Sequence, residues 1–326
     1  MTSRMKSSAV DVISLGEALV DFLPNRRGQT VREVTQWTPC LGGAPANVAV
    51  GLSRLGAKSG LVGVTGADEF GHFLKHGLQR EGVDVQHLRQ TDEGKTGLGF
   101  VSLTHKGERS FTFYRTRAAE TFLDQRDTTA AVKLLRSSKV VHVGTNSLIH
   151  APARVAVGES VKQAYEAGQI TSTDPNLRLH LWKDPEVLRR LLGVLFKRCA
   201  VVKLSEEEIE FVTGSTDVAT ALDWLEARGV VVAIVTRGPR GASLRFRGET
   251  RHVPARKVKV VDTTGAGDGF TAGFLYGLTR HYGTRAELEN ADLEALEGHA
   301  RFGCLVGSHV VTKLGAVAGL PKRSQV

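Results

Sequence analysis

Short apolar runs with the pattern of buried strands alternate with helical runs along most of this chain. The clearest strand pattern is Val230–Thr236, which contains the unbroken apolar run VVVAIV. A strand that is apolar at every position must be covered on both faces, and strands separated by helices of roughly 10 to 15 residues form βαβ units. The alternation therefore predicts an α/β fold, a doubly wound, mostly parallel sheet flanked by helices.

The elements that follow this alternation can be placed by residue. Strands are predicted at Val10–Leu15, Ser59–Val64, Val140–Val143, Ala200–Leu204 and Val230–Thr236. Helices are predicted at Ala44–Leu55, Phe70–Glu81, Thr128–Leu135, Ala153–Ala167, Pro185–Phe196, Glu206–Thr213 and Val218–Ala227. Residues 18–37 and 97–117 instead alternate apolar and polar side chains, and the second segment predicts a hairpin with its turn at 105–108. These two segments predict a small β lid over one end of the main sheet.

Composition and cysteine usage narrow the class of protein. The chain has 326 residues, of which 41% are hydrophobic, so it is not a disordered chain. No repeat or proline-rich linker divides it, which predicts one domain over 10–326 behind a flexible tail at 1–9. Three cysteines without a C-x-x-C pair argue against a disulfide framework or a zinc cluster. With no signal peptide and no long apolar span, these features indicate a cytoplasmic protein without a membrane partner.

The net charge of +9 is concentrated in one stretch. Between Arg237 and Lys259 the chain carries eight basic residues and one acid, Glu249. Nucleic acid is not an expected partner, because no helix-turn-helix, zinc finger or aromatic-basic RNA motif is present. Two interpretations stay open. The stretch is either a solvated basic edge that discourages strand pairing or a surface that steers an anionic ligand inward, with Arg245 and Arg247 on a half-exposed strand.

Glycines cluster in two turns, and the second turn carries a carboxylate. In Val261–Leu275 a strand-like run, Lys257–Val261, leads into DTTGAGD, and a helical run, Gly267–Thr279, leads out. Small residues at a helix start bring backbone N–H groups and the positive end of the helix dipole to an anion. Asp268 inside such a turn is placed to act as a base beside a transferring phosphate. The alternative is a structural turn in which Asp268 caps the helix.

The first glycine-rich turn, Gly42-Gly43-Ala-Pro-Ala-Asn47, precedes the helix predicted at Ala44–Leu55. Gly42 and Gly43 let a ligand approach the backbone closely. Asn47 lies on the first helical turn, where its amide can bond a hydroxylated ligand. A tight turn with an inert asparagine is the alternative interpretation.

The two turns together resemble the two signatures of the ribokinase-like (PfkB) carbohydrate kinases, and within that family the chain is most similar to fructokinases. The resemblance covers roughly Val10 to Pro321. Its motifs are GEALVDF at Gly16–Phe22, GGAPANVA at Gly42–Ala49, DEFG at Asp68–Gly71, RSFTFYR at Arg109–Arg115, DPNLRLHLW at Asp174–Trp182, KLSEEEIEFVTG at Lys203–Gly214 and DTTGAGDGF at Asp262–Phe270.

The resemblance assigns a role to each matching position. It implies Asp268 as general base and an anion hole formed by the amides of Gly265, Ala266 and Gly267. It implies sugar contacts from Asp21, Gly42, Gly43 and Asn47, with Arg115 and Arg178 as lid-side or phosphate-side contacts. It implies nucleotide contacts from Thr236, Gly238, Gly241 and Ser205, and magnesium waters ordered by Glu208. A monovalent-cation site is implied at Asp262, Thr264, Val310 and Gly315.

The implied activity is transfer of the γ-phosphate of MgATP to a primary hydroxyl of a sugar, with fructose giving fructose 6-phosphate, and with potassium as a further cofactor in such enzymes. Ser205 stands where the family often has asparagine, and Gly319 where some relatives carry a serine near the cation. Kinases of 2-keto-3-deoxygluconate, ribose or a nucleoside are alternatives, as is a catalytically silent structural partner. Lid strands with open edges also allow a homodimer.

Overall fold

The computed structural model describes residues 10–26, 28–103 and 109–326. The predicted tail at 1–9 and the predicted hairpin turn at 105–108 lie outside these residues. The strands are β1 Val12–Leu15, β2 Leu19–Pro24, β3 Trp37–Gly42, β4 Ser59–Gly66, β5 Leu88–Thr91, β6 Leu98–Leu103, β7 Arg109–Tyr114, β8 Val140–Gly144, β9 Ile170–Asp174, β10 Val201–Ser205, β11 Val232–Thr236, β12 Ala242–Phe246 and β13 Glu249–Val253. The helices are α1 Ala44–Leu55, α2 Glu69–Arg80, α3 Gln125–Ala130, α4 Val132–Ser137, α5 Ala151–Glu166, α6 Pro185–Phe196, α7 Glu206–Thr213, α8 Val218–Glu226, α9 Ala266–His281, α10 Arg285–Glu289, α11 Leu293–Val310 and α12 Ala316–Gly319.

The main sheet has nine strands in the order β13-β12-β11-β10-β9-β8-β1-β4-β5. The seven strands from β11 to β5 pair in parallel, and β12 and β13 add an antiparallel ribbon at one edge. This arrangement confirms the predicted mostly parallel sheet. It also brings the carboxyl ends of β9, β10 and β11 to one edge, where ligands bind in folds of this kind.

Helices cover both faces of this sheet because successive side chains of a strand point to opposite faces. Ile13 and Val141 pack into a core with α5, α6 and α8, whereas Val12 and Val140 pack into a core with α1, α9 and α11. The doubly wound architecture is therefore confirmed. None of the helices among the described residues is long and apolar enough to cross a lipid bilayer.

A separate four-stranded sheet has the order β3-β2-β6-β7. It contains both segments predicted for the lid, and β6 and β7 form the predicted antiparallel hairpin. The predicted bounds 18–37 and 97–117 need one correction, because β3 occupies Trp37–Gly42 and pairs with β2. This strand continues into the first glycine-rich turn, so the second sheet is joined directly to the start of α1.

Two predicted elements differ in the structure. The strand predicted at Lys257–Val261 is wrong, because these residues form no strand. The amides of Val261 and Asp262 donate instead to the carbonyl of Val311, just beyond the end of α11. The helix predicted at Thr128–Leu135 is divided into α3 and α4, and α3 begins earlier because Asp124 and Asp127 form a capping box at its start.

Helices α1 and α9 cross closely, and their approach depends on a glycine. A Cβ placed on Gly51 in α1 would lie 2.7 Å from the Cβ of Ala272 in α9. The contact holds together the two helices that begin at the glycine-rich turns. By contrast, a Cβ on Gly158 in α5 would meet nothing within 4 Å.

These two glycines give a matched test of that crossing. We expect Gly158→Ala to raise the free energy of unfolding by roughly 0.5–1 kcal/mol, since alanine favours an open helix position. We expect Gly51→Ala to lower it by about 1 kcal/mol or more, because the added methyl overpacks the interface. Urea unfolding followed by circular dichroism measures both. Equal stabilisation by the two changes would contradict the close crossing.

Candidate active site

The centre of the site is a hydrogen bond between the first turns of α1 and α9. The Asn47 side-chain amide donates to Asp268 Oδ2 at 2.7 Å, and both residues are buried. Pro45 in the first turn of α1 and Gly265, with φ of 76°, at the start of α9 set the two helix starts. The prediction placed Asn47 only against a ligand; the structure also bonds it to the predicted base.

Burial controls the protonation of Asp268. Desolvation raises the pKa of this carboxyl to about 6, the hydrogen bond from Asn47 opposes the rise, and the nearby Asp174 carboxylate adds to it. The pKa lies close to neutral pH, where a general base works most effectively. Asp268 does not act as a simple helix cap, because its Oδ2 accepts a hydrogen bond from Asn47, a side chain of another helix.

A second buried carboxyl, Asp21 on β2, lies close to the first. Burial and then the charge of Asp268 raise the pKa of Asp21 to about 7, while the cations of Arg115 and Arg178 oppose the rise. A Cβ on Gly42 would overlap the Asp21 carboxylate, so the glycine on β3 leaves the space that this side chain occupies. Gly43 follows with φ of 97°, and a Cβ placed on it would lie 2.5 Å from the Glu17 carbonyl oxygen.

The two predicted arginines reach the same region. Arg115 follows β7 and pairs with Glu120 at 2.7 Å, and this buried pair lies beside Asp21. Arg178 follows β9, donates to the carbonyls of Asn176 and Leu177, and lowers the pKa of Asp21 and Asp268 through its charge. The structure therefore brings both arginines to the carboxyl pair.

A buried ion pair that the sequence analysis did not single out lies beside Asp268. Lys203 in the middle of β10 and Asp174 at the end of β9 pair at 2.9 Å, and Thr271 of α9 also donates to Asp174. The Lys203 ammonium would lie 3.0 Å from a Cβ placed on Gly267. Both residues stand in quoted motifs, and the signal that could have found them is a charged side chain within or at the end of a buried parallel strand.

Most of the predicted residues line one cavity of about 640 Å³ between the second sheet and the carboxyl ends of β9–β11. We call it the reaction cavity. Its predicted wall residues are Asp21, Gly43, Asn47, Arg115, Arg178, Ser205, Glu208, Thr236, Gly238, Thr264, Gly265, Gly267 and Asp268. Gly241 and Ala266 line an adjoining cavity of about 520 Å³ that shares Thr236, Gly238 and Gly267 with the first.

The predicted anion turn begins α9. Gly265 and Gly267 line the reaction cavity, whereas the Ala266 amide donates to the Thr263 carbonyl at 3.3 Å and closes the turn. Gly265 cannot carry a side chain, since a Cβ there would lie 2.5 Å from Ala316. The helix start thus presents backbone to the cavity at the point where Lys203 adds a positive charge.

Glu208 has a structural task as well as a place on the cavity wall. Its two carboxylate oxygens accept the amides of Leu177 and Ser205 at 2.6 and 2.7 Å, and with Ser205 it forms the capping box of α7. Burial raises the pKa of Glu208, and the Lys203 ammonium opposes the rise. These acidic residues therefore form the first turn of α7.

Three of the four predicted cation residues are joined by hydrogen bonds. Asp262 accepts the amide and hydroxyl of Thr264 and the amide of Gly315, so these three lie together. The carbonyl of Val311, the residue after Val310, accepts the Asp262 amide.

Much of the basic stretch at 237–259 is paired with acids. Arg237 and Arg240 pair with Glu206, and Arg245 pairs with Asp223 and Glu226. Arg247 lies in the turn after β12 and donates to the Glu289 carbonyl. Neither Arg245 nor Arg247 lines the two cavities, whereas Arg256 and Lys257 line the adjoining one.

Comparison with known proteins agrees with this geometry. The family model described as pfkB family carbohydrate kinase matches residues 10–323. A fructokinase from Klebsiella pneumoniae is 38% identical over 313 residues, which are 96% of each chain. A fructokinase structure from Xylella fastidiosa with bound ATP has a TM-score of 0.87 at 32% identity, covering 96% of both chains. A Vibrio cholerae fructokinase structure with fructose, ADP and calcium has a TM-score of 0.84 at 32% identity, again with 96% coverage of both.

The fold and the site thus define a ribokinase-like kinase. This chain belongs to the pfkB family of carbohydrate kinases.

The Asn47–Asp268 hydrogen bond predicts a change in pH dependence. Asn47 stabilises the ionised carboxylate, so Asn47→Ala should raise the pKa of Asp268 and move the acidic limb of kcat/KM to higher pH. Activity is then lost earlier as the pH falls. Sugar-dependent ADP release measured across pH checks this. Asn146→Ala, which removes another cavity asparagine without contact to Asp268, should leave the limb in place; an unmoved limb in Asn47→Ala would contradict the assignment.

Proposed function

We propose that this protein is an ATP-dependent fructokinase that transfers the γ-phosphate to the primary 6-hydroxyl of fructose. The observation that carries the proposal is the buried Asp268 carboxylate, held by Asn47 at the start of α9 and facing the reaction cavity. The named relatives support fructose as the acceptor, because the Klebsiella and Xylella proteins are fructokinases and the Vibrio structure contains fructose.

Asp268 accepts the proton of the sugar hydroxyl, and the oxygen attacks the γ-phosphorus in line with the departing diphosphate. Asp21, Gly42, Gly43 and Asn47 hold the other sugar hydroxyls. The amides at Gly265 and Gly267 and the Lys203 ammonium stabilise the negative charge that develops on the transferring phosphate. Thr236, Gly238 and Gly241 hold the nucleotide along the adjoining cavity. We infer that the second sheet acts as a lid that excludes water from the reaction cavity.

The reaction cavity fits magnesium carried on phosphates. Among the described residues no group of three or more histidine, cysteine or carboxylate side chains could cage a metal. Mg²⁺ keeps several waters and is bound mainly through substrate phosphates, so such a cage is not required. When bound, it neutralises phosphate charge, with Ser205 and Glu208 on the wall that would face its waters. Asp262, Thr264 and Gly315, which lie together as described above, would with Val310 form the site for potassium.

The ion pair of Arg115 favours a neutral acceptor such as fructose over an acidic one. A 2-keto-3-deoxygluconate kinase must compensate the carboxylate of its substrate, and Arg115 is the matching residue. Here Arg115 is already neutralised by Glu120 at 2.7 Å, which favours a neutral sugar. Ribose and nucleosides are neutral as well and stay alternatives. A catalytically silent structural partner is disfavoured by the assembled Asp268, Asn47 and Lys203.

We also propose that two copies pair through the outer face of the lid. Aromatic rings gather there: Phe22 stacks on Phe100 at 4.9 Å, and Trp37 and Tyr114 contact Phe100 edge-on at 5.1 and 5.6 Å. Tyr114 is 65% exposed, and exposed apolar clusters mark interaction surfaces. We place the enzyme in the cytoplasm, a proposal that the three free cysteines support.

Substitution of the base tests the activity. Asp268→Asn should retain ATP binding and lower turnover by about 10²- to 10⁴-fold, because it removes the general base while keeping the shape of the side chain. ADP release coupled to NADH oxidation measures turnover with fructose, ribose, 2-keto-3-deoxygluconate and a nucleoside. We expect the wild type to have its highest kcat/KM with fructose. Near wild-type turnover in Asp268→Asn, or preference for another acceptor, would reject the corresponding part of the proposal.

The lid interface has its own test. By light scattering after size exclusion we expect a dimer for the wild type and a monomer for Tyr114→Glu, since a buried unpaired charge opposes association. Val194→Glu changes an apolar residue of α6 that is 54% exposed and should stay dimeric. A monomeric wild type would exclude this interface.

A further inference from the structure

One face of α1 carries a contact of the candidate active site on each of its turns. Asn47, Gly51 and Arg54 follow one another at spacings of four and three residues, which places them on the same side of the helix. Asn47 bonds Asp268, and Gly51 packs against Ala272, as described above. Arg54 stands in the last turn, does not line the reaction cavity, and has a side chain that is only 17% exposed. Its guanidinium therefore takes its partners from the protein.

The guanidinium of Arg54 joins two segments that are distant in the sequence. Its Nε and Nη2 donate to the two carboxylate oxygens of Glu81, the residue after α2, at 2.7 and 2.8 Å. Its Nη1 donates to the carbonyls of Val317 and Leu320 at 2.6 and 2.7 Å. We call these four hydrogen bonds the Arg54 clamp. The bonds from Arg54 hold the pKa of Glu81 below its usual range against the effect of burial, so the carboxylate is ionised at neutral pH.

The two carbonyls lie in and just after α12, a helix of four residues. The last carbonyls of a helix lack partners further along it, so a short helix depends on donors from outside. Nη1 of Arg54 is such a donor for both Val317 and Leu320, and a ring nitrogen of His309 lies 2.9 Å from the Gly319 carbonyl. The end of α12 is therefore bonded to α1 through one side chain.

The start of α12 supports the anion turn. The Gly315 amide donates to Asp262 Oδ2 at 2.8 Å, while Oδ1 of the same carboxylate accepts the amide and hydroxyl of Thr264. Ala316 lies against Gly265, where an added Cβ would be 2.5 Å from the Ala316 Cβ. Thr264 and Gly265 both line the reaction cavity. Any shift of α12 is thus passed directly to the backbone proposed to hold the transferring phosphate.

We propose that Arg54 is a positioning residue for phosphoryl transfer, because its clamp holds α12 against α1 and so fixes the anion turn. This inference rests on the proposed kinase function. Helix α1 then positions two parts of the machinery, Asp268 through Asn47 at its start and the anion turn through Arg54 at its end. Since Arg54 lines neither the reaction cavity nor the adjoining one, its loss slows transfer without weakening the binding of the sugar.

The first test separates positioning from stability by its effect on kcat and KM. Arg54→Met keeps the aliphatic stem and should lower kcat about tenfold or more, with the KM for fructose unchanged, because displaced amides stabilise the developing charge less well. Arg54→Lys keeps a charge for Glu81 but loses the planar fork, so it should lower kcat as well. Glu81→Gln is the matched control. It removes the ion pair, leaves the donors to Val317 and Leu320 in place, and should leave kcat unchanged. Sugar-dependent ADP release measures all three.

The second test does not depend on activity. By hydrogen exchange and mass spectrometry, peptides covering residues 262–268 and 315–320 should exchange faster in Arg54→Met than in the wild type or in Glu81→Gln. If Arg54→Met does not fold, Arg54→Lys replaces it in both tests. Guanidinium chloride at low concentration should restore part of the kcat that Arg54→Ala loses, whereas sodium chloride at the same concentration should not.

Three results would overturn the proposal. An unchanged kcat or unchanged exchange in Arg54→Met rejects the clamp. An equal loss of kcat in Glu81→Gln shows that the ion pair matters only for stability and rejects the positioning role. A KM for fructose that rises as kcat falls rejects the separation of transfer from sugar binding. The wild type is measured first: failure to phosphorylate fructose rejects the proposed function instead, and the exchange comparison then decides the clamp by itself.

Discussion

The hydrogen bond from Asn47 to Asp268 joins residues that lie 221 positions apart in the chain. An ionised carboxylate buried without a partner is strongly unfavourable, so the position of Asp268 depends on this bond and on the nearby cations. The bond in turn requires α1 and α9 to cross closely, which Gly51 permits against Ala272. Helix packing, the pKa of the base and the shape of the anion turn therefore depend on one arrangement of two helix starts.

The same arrangement explains why so many charged groups are tolerated in one place. Asp21, Asp174 and Asp268 are all buried. The charge of Asp268 raises the pKa of Asp21, and the charge of Asp174 raises the pKa of Asp268. Lys203, Arg115 and Arg178 supply the opposing charge. Perturbed carboxyls grouped on the wall of one cavity are typical of a catalytic site, because a purely structural core replaces such groups with apolar residues at lower cost.

The spacing of apolar residues in the sequence was sufficient to predict much of the fold. The bounds of α1, α6 and α7 agree with prediction, since Pro45 and Pro185 in first turns and the Ser205–Glu208 box mark their starts. The prediction of a strand at 257–261 was wrong, because the alternation of apolar and polar residues does not show whether a partner strand lies beside them. Local pattern also left α11 unpredicted, although its apolar residues recur at helical spacing from Leu296 to Val310.

The site was predictable where a motif concentrates function in a few adjacent residues, as in the turn that carries Asp268. It was not predictable where function comes from pairs across the sheet. Lys203 and Asp174 meet only because β9 and β10 are neighbours, and a sequence read in one dimension does not show that strand order. The same limit explains why Asn47 was expected to contact a ligand and not the base.

The residues of the candidate active site are divided between the two sheets. Asp268, Lys203 and the anion turn stand on the main sheet and its helices, whereas Asp21 on β2 and Arg115 after β7 stand on the second sheet. The proposed general base is thus fixed by the core, whereas Asp21, one of the groups proposed to hold the sugar, is fixed by the second sheet. Since burial is the first cause of the raised pKa of both Asp21 and Asp268, any movement of the lid that admits water lowers both pKa values together. Closure and the basicity of the site are therefore set by the same contacts, and the base is strongest when the cavity is shut around its substrate.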